Sequence, residues 1–173
     1  MTDTYESGPG EPSLPTAITR DFTVATFVVQ DGRVLLLWHR NLQRWLPPGG
    51  HIEPNELPDE AATREVREEA GIAVELVGER GVPVERPRQL VRPAGVQLET
   101  IAPNHEHVDL IYYARPVERQ PAIVGNAESE SIGWYTLAEM GPIGVTREVT
   151  LWATRAVQAV GGKRPRTRTP RAR

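Results

Sequence analysis

An α/β fold, with helices covering a mixed β-sheet inside one domain, is predicted by three observations. Runs rich in β-branched and aromatic residues bracket two stretches of helical periodicity. The 173 residues suit one domain with a sizeable core. No internal repeat breaks the pattern.

Taken in order, residues 1–19 are rich in Gly, Pro, Ser and Thr and predict a flexible lead-in to a domain spanning 20–160. Residues 22–29 (FTVATFVV) predict a strand. Asp31-Gly32 is a hairpin turn signal, so residues 34–38 (VLLLW) form the returning strand. WLPPGG at 45–50 is stiff, then permissive. A helix is expected over 58–70, with proline in its first turn and Gly71 as its stop. Leu57 stands where a capping hydroxyl would be expected and cannot accept a hydrogen bond; Asn55 and Glu56 are the candidate substitutes. Residues 72–77 predict a strand. The stretch 83–105 carries four prolines and reads as a long loop with a short strand near 96–101. Residues 108–114 (VDLIYYA) and 131–135 predict two further strands. Thr136 and Glu139 make a capping-box signature. Thr146 caps a last helix whose Val149, Trp152, Ala153, Ala156, Val157 and Val160 share one face.

Composition narrows the function. There is no cysteine, which excludes disulfides, thiolate metal sites and thiol nucleophiles. No apolar run approaches the roughly 20 residues of a membrane span, and residues 1–20 lack the apolar core of a secretory signal. A cytoplasmic location without membrane partners is therefore expected. Six basic residues and no acid fall in 161–173: Lys163, Arg164, Arg166, Arg168, Arg171 and Arg173. Setting them aside from the 20 basic residues leaves 14 against 23 acidic ones. An acidic body makes a poor nucleic-acid platform and suits a protein that gathers carboxylates around cations. The tail, KRPRTRTPRAR, reads as a disordered, solvating segment.

The informative segment is GHIEPNELPDEAATREVREEAGI at 50–72. On a helix each residue advances about 100°, which puts Glu65 and Glu69 roughly 40° apart and Glu65 and Glu68 roughly 60° apart. Arg64 lies one turn below Glu68. Three carboxylates thus share an arc narrow enough for a common cation, and a guanidinium is placed to hold one of them. Like charges at this spacing cost a helix a few tenths of a kcal/mol per pair. An all-oxygen set with room for water and phosphate suits Mg²⁺. By itself the pattern also fits a solvated face of mixed charge.

The whole segment resembles the Nudix box: Gly, five residues, Glu, seven residues, then Arg-Glu-aliphatic-any-Glu-Glu-any-Gly-aliphatic. Gly50, Glu56, Arg64, Glu65, Val66, Glu68, Glu69, Gly71 and Ile72 fill every position. Seven fixed residues recur by chance at roughly one start in 10⁸. The resemblance implies a Nudix-type α/β/α sandwich with a mixed β-sheet between helices. It implies hydrolysis of a nucleoside diphosphate linked to another group by metal-activated water, with Mg²⁺ as cofactor and Mn²⁺ as its substitute. By position, Glu65, Glu68, Glu69 and the carbonyl of Gly49 would ligate metal, and Arg64 and Glu56 would orient that cluster. The general base differs among members: a box glutamate or an acid from a later loop. Glu128 is the first candidate for that later acid, followed by Glu130 and Asp109.

Substrate contacts are open. His105, Glu106 and His107 lie at the mouth of the 108–114 strand, where they could meet substrate or metal or simply sit in a solvated loop. Arg86, Arg88 and Arg92 could clamp phosphates or lie at the surface. Of Tyr112 and Tyr113, which alternate faces, one is expected in the core and the other near a base. Pro87 stands 15 residues past the box, as in ADP-ribose-cleaving members, but prolines are frequent there. The tyrosine of dinucleoside-polyphosphate hydrolases is absent from Arg88, Gln89 and Leu90. The expected partner is a small nucleotide, with a homodimer allowed. The competing expectation is a catalytically silent, nucleotide-sensing regulator with the same fold. An isoprenoid diphosphate isomerase would need a cysteine, and RNA decapping has only the tail in its favour.

Overall fold

A computed structural model describes residues 17–119, 121–126 and 129–161. The expectations for the basic tail and for Glu128, and nearly all of the lead-in, lie outside these residues.

The order of elements is β1 (Thr19–Gln30), β2 (Arg33–His39), β3 (Arg44–Leu46), β4 (Gly49–His51), α1 (Pro58–Ala70), β5 (Val74–Leu76), β6 (Gly95–Ala102), β7 (His105–Pro116), β8 (Ser129–Tyr135), α2 (Leu137–Met140) and α3 (Arg147–Gly161). β1 is the central strand. It pairs antiparallel with β2 and β4 and parallel with β7. β3 and β8 flank β2, and β5 and β6 flank β7, all antiparallel. The sheet is therefore mixed, as expected.

Period-two alternation assigns each strand residue to a layer. Phe27, Val29, Val34, Leu36, Ile111 and Tyr113 face α3 and pack on its Val149, Ala153 and Ala156. The intervening residues Val24, Val28, Leu35, Tyr112 and Ala114 face α1 and pack on Ala61, Ala62, Val66 and Ala70. The result is a three-layer α/β/α sandwich. Burying each large apolar side chain contributes roughly 1.5–3 kcal/mol. Across the α1 face, the buried Thr26 hydroxyl donates to the Ala62 carbonyl at 3.1 Å.

Local signals hold where they were strongest. Asp31 and Gly32 both take positive φ, 48° and 74°, as a tight hairpin requires. α1 covers 58–70, and Gly71 closes it in the left-handed region (φ 71°), its N–H donating to the Arg67 carbonyl at 2.9 Å. Glu139 accepts hydrogen bonds from the N–H and hydroxyl of Thr136, and the Thr146 hydroxyl accepts from the N–H of Val149.

Other expectations need correction. Neither Asn55 nor Glu56 caps α1. Leu57 is the N-cap and makes no side-chain bond; Asn55 is itself left-handed (φ 68°), and the Glu56 carboxylate is engaged by Arg64. The loop ends at Ala94: the short strand expected near 96–101 is present and longer, β6 running over Gly95–Ala102 and turning at Pro103-Asn104 into β7. His105 and His107 therefore belong to a strand, not to a loop at its mouth. Tyr112 and Tyr113 are both buried, on opposite faces, so neither is presented to a base; burial pushes the Tyr112 hydroxyl up to about 12. No helix among the described residues is long and apolar enough to cross a membrane.

Candidate active site

α1 and β4 place the acidic cluster. Arg64 is its hub. Its Nε and one Nη grip Glu56 in a bidentate pair at 2.7 and 2.9 Å, and that same Nη donates to the His51 carbonyl at 2.9 Å. The other Nη donates to Glu65 at 2.7 Å and to Glu68 at 3.0 Å. All five N–H groups of the guanidinium are thus matched by five acceptors. The arginine expected to hold one carboxylate holds three.

Glu69 is almost wholly buried and accepts the backbone N–H of Gly49 at 2.9 Å. A Cβ at Gly50 would stand 2.6 Å from a Glu65 carboxylate oxygen, so a side chain there would displace that carboxylate. α1 therefore lies close against the Gly49-Gly50 backbone, and box carboxylates meet β4 directly. Arg64 holds the Glu56 carboxyl below its ordinary range. Burial pushes the Glu65 carboxyl up, against the pull of Arg64.

These donors fit a hard dication. The set is all oxygen, it sits on one helix face and the adjoining turn, and Glu68 remains exposed. The oxygens are not drawn into one knot, however. Among the described residues, the group of His, Asp and Glu ligand atoms that lie within 4.8 Å of one another is Asp21, His105 and His107.

On the other side of β4, a cleft of about 480 Å³ opens on the α3 face of the sheet. Gly49, Gly50, His51 and His107 line it at one side, with Arg44, Gln97, Asp109 and Glu148 among its polar walls. Gln97 ties this wall together. Its amide NH₂ donates to Glu148 at 3.2 Å and Asp109 at 3.4 Å, while its carbonyl accepts the Trp152 indole N–H at 2.9 Å. The Thr23 hydroxyl donates to Asp109 across the parallel pair. Burial raises the Glu148 carboxyl. Arg44 pairs with Glu99 at 2.7 Å, and its buried Nε has no partner among the described residues.

Gln97, Glu148 and Arg44 were not singled out in the sequence. Gln97 lay in the short strand expected near 96–101, but the three converge only in the folded chain. One trace was available: Gly95, two residues before Gln97, leaves the room that Trp152 fills, since a Cβ there would lie 2.3 Å from its ring.

The remaining candidates separate. His107 lines the cleft, and burial holds its imidazole below the usual range. His105 is 3.2 Å from it, nitrogen to nitrogen. Asp109 is buried in the cleft wall, whereas Glu130 is exposed and pairs with Arg40 at 3.6 Å. Arg88 reaches back to Glu60. Arg92 pairs with Glu79 and borders a wider depression of about 950 Å³ with Glu75, Tyr113 and Arg115. Neither arginine lines the cleft beside the box.

Known proteins are similar over this whole framework. The NUDIX domain family model matches residues 19–156. A MutT-like protein of Streptomyces ambofaciens is 30% identical over 169 residues, 95% of this chain and 92% of that protein. A human 8-oxo-dGDP phosphatase is 36% identical over 102 residues, which make up 53% of this chain and 32% of that protein. Among solved structures, a NUDIX-family hydrolase from Clostridium perfringens superposes with a TM-score of 0.73 at 32% identity, covering 83% of this chain and 99% of that one.

Proposed function

The chain belongs to the Nudix hydrolase family, and on that premise we propose how its residues divide the work of a magnesium-dependent enzyme. Membership makes it a pyrophosphohydrolase of nucleoside diphosphate derivatives, within a family that works with divalent metal ions. The proposal concerns the ion, the residues and the substrate.

Glu65, Glu68 and Glu69, with the Gly49 carbonyl, are the proposed ligands of Mg²⁺, which Mn²⁺ could replace. When bound, the ion would neutralise the diphosphate and lower the pKa of the attacking water. The observation that carries the assignment is the saturated Arg64 hub, one residue along the helix from Glu65 and one turn from Glu68. Arg64 has no donor to spare for substrate, so it is a positioning residue that fixes Glu56, Glu65 and Glu68. The Gly49 N–H does the same for Glu69. Glu128 remains the proposed acid outside the box, with a box glutamate as the other candidate base.

The cleft is of a size for one nucleotide. Arg44 offers a buried, unpaired N–H to an anionic group; His107, which lines the cleft, and its neighbour His105 are the proposed substrate contacts. Arg88 and Arg92, tied to Glu60 and Glu79, are weaker candidates for phosphate binding. Two relatives bear names that specify oxidised guanine nucleotides, a human 8-oxo-dGDP phosphatase and a putative 8-oxo-dGTP diphosphatase of Bacillus subtilis. We therefore place such nucleotides first in the panel to be tried.

The test is nucleotide or phosphate release with Mg²⁺ on oxidised and normal nucleoside di- and triphosphates, ADP-ribose, sugar nucleotides and dinucleoside polyphosphates. At least one should turn over, and Glu69→Gln should lower kcat by about 100-fold or more. Undiminished turnover in that variant would sink the metal assignment. Inertness across the panel with nucleotide binding retained would favour the nucleotide-sensing regulator.

A further inference from the structure

We propose that Asp21, His105 and His107 form a second metal site, selective for a late-transition-metal dication of the zinc class and separate from the carboxylates of α1. The site arises from strand register. β1 and β7 run parallel with Asp21 beside His107 and Thr19 beside His105. Residues two apart on a strand share a face, so all three side chains rise from the same side of the sheet.

Their ligand atoms lie within 4.8 Å of one another. The Nε2 atoms of the two histidines are 3.2 Å apart, and His105 Nε2 is 3.7 Å from Asp21 Oδ2. Tetrahedral zinc with bonds of about 2.05 Å needs ligand atoms roughly 3.3 Å apart. Little movement of the side chains is required.

Thr19 can also hold the His105 ring as a ligand needs. Its hydroxyl lies 3.2 Å from the Asn104 carbonyl and 2.9 Å from His105 Nδ1. With its proton given to Asn104, its oxygen accepts from Nδ1–H, the tautomer that leaves the Nε2 lone pair for a metal. A hydroxyl or carbonyl bound to the far nitrogen is the usual way a ligating histidine is held. Two imidazoles and one carboxylate favour zinc over magnesium, which prefers oxygen. Asp21 is exposed and His105 partly so, which gives an ion a path in. The exposed imidazole of His51 flanks the group, its Nε2 3.6 Å from Asp21 Oδ2 and its ring 4.8 Å from that of His107. The site is distinct from the proposed metal ligands on α1, although it uses His105 and His107, the proposed substrate contacts, and no step of hydrolysis is assigned to it.

The experiment is calorimetric titration of the chelator-stripped full chain with Zn²⁺ in a large excess of Mg²⁺, repeated with Co²⁺ to read visible d–d absorption. One equivalent should bind. His105→Gln and His107→Gln, which keep size and polarity, should each weaken binding at least tenfold and remove the cobalt spectrum. Thr19→Val should weaken it about tenfold, while Glu69→Gln should leave it unchanged. Circular dichroism identifies any variant that has not folded, and the Co²⁺ spectrum of Thr19→Val then provides the independent check. Binding that survives both histidine substitutions, or that disappears in Glu69→Gln, overturns the proposal, as does an absence of binding in the parent protein.

Discussion

Arg64 concentrates more of the candidate site's energetics than any other side chain. Removing it leaves Glu56, Glu65 and Glu68 without their shared cation, and two of these are largely buried, with 14% and 12% of the side chain exposed. Arg64→Ala should cost roughly 1–3 kcal/mol at neutral pH and weaken Mg²⁺ binding by about 10- to 100-fold. The pH dependence has a defined sign. Arg64 depresses the folded Glu56 carboxyl below the ordinary 4.5, so the stability it contributes is fully present above that value. It is lost as pH falls through the lowered, folded value. The deficit of Arg64→Ala should therefore shrink on acidification below about pH 4.5, as read by denaturant midpoints of both proteins measured across pH. A deficit constant down to the acid limit would exclude the ion pair as its source.

Among the elements, α1 carries the box and depends on how it ends. Gly71 is left-handed, and a Cβ there would also approach Val124 at 3.4 Å. Gly71→Ala should lower stability by about 1 kcal/mol, seen as a reduced thermal midpoint, with the Mg²⁺-binding face otherwise intact. α1 was legible in the sequence because its signals are local: a first-turn proline, one carboxylate face, a terminal glycine. The hairpin of β6 and β7 was legible only in part: strands near 96–101 and 108–114 stood out, but not their pairing or their extension to a tight turn. Pro103-Asn104 is a pair suited to a type II turn, with Asn104 at φ 61°, but not one of the Asn-Gly or Asp-Gly pairs that announce a two-residue hairpin. With that turn went the strand setting of His105 and His107. The cleft wall escaped because Arg44, Gln97 and Glu148 come from β3, β6 and α3 and share no sequence spacing.

For the whole molecule, charge and layering point the same way. The acidic body offers an anionic substrate few attractive surfaces, which makes bound cations the natural docking points. The basic tail lies outside the described residues and is proposed to take no part in small-nucleotide hydrolysis. Deleting 162–173 should change kcat/KM by less than about twofold, and a large loss in steady-state assays would assign the tail a role. The central strand has a temporal consequence as well. β1 opens the domain, yet its parallel neighbour arrives much later, with Thr23 and Asp109 joined across 86 positions. Closing a loop of that length costs about 4 kcal/mol of chain entropy, and non-local parallel pairing of this kind is slow. The β1–β2 hairpin and α1 can form from neighbouring residues, but the cleft requires both β1 and β7. The acidic helix thus needs only its own neighbours in sequence, whereas the surface that would choose the substrate waits on the long-range pairing of β1 with β7.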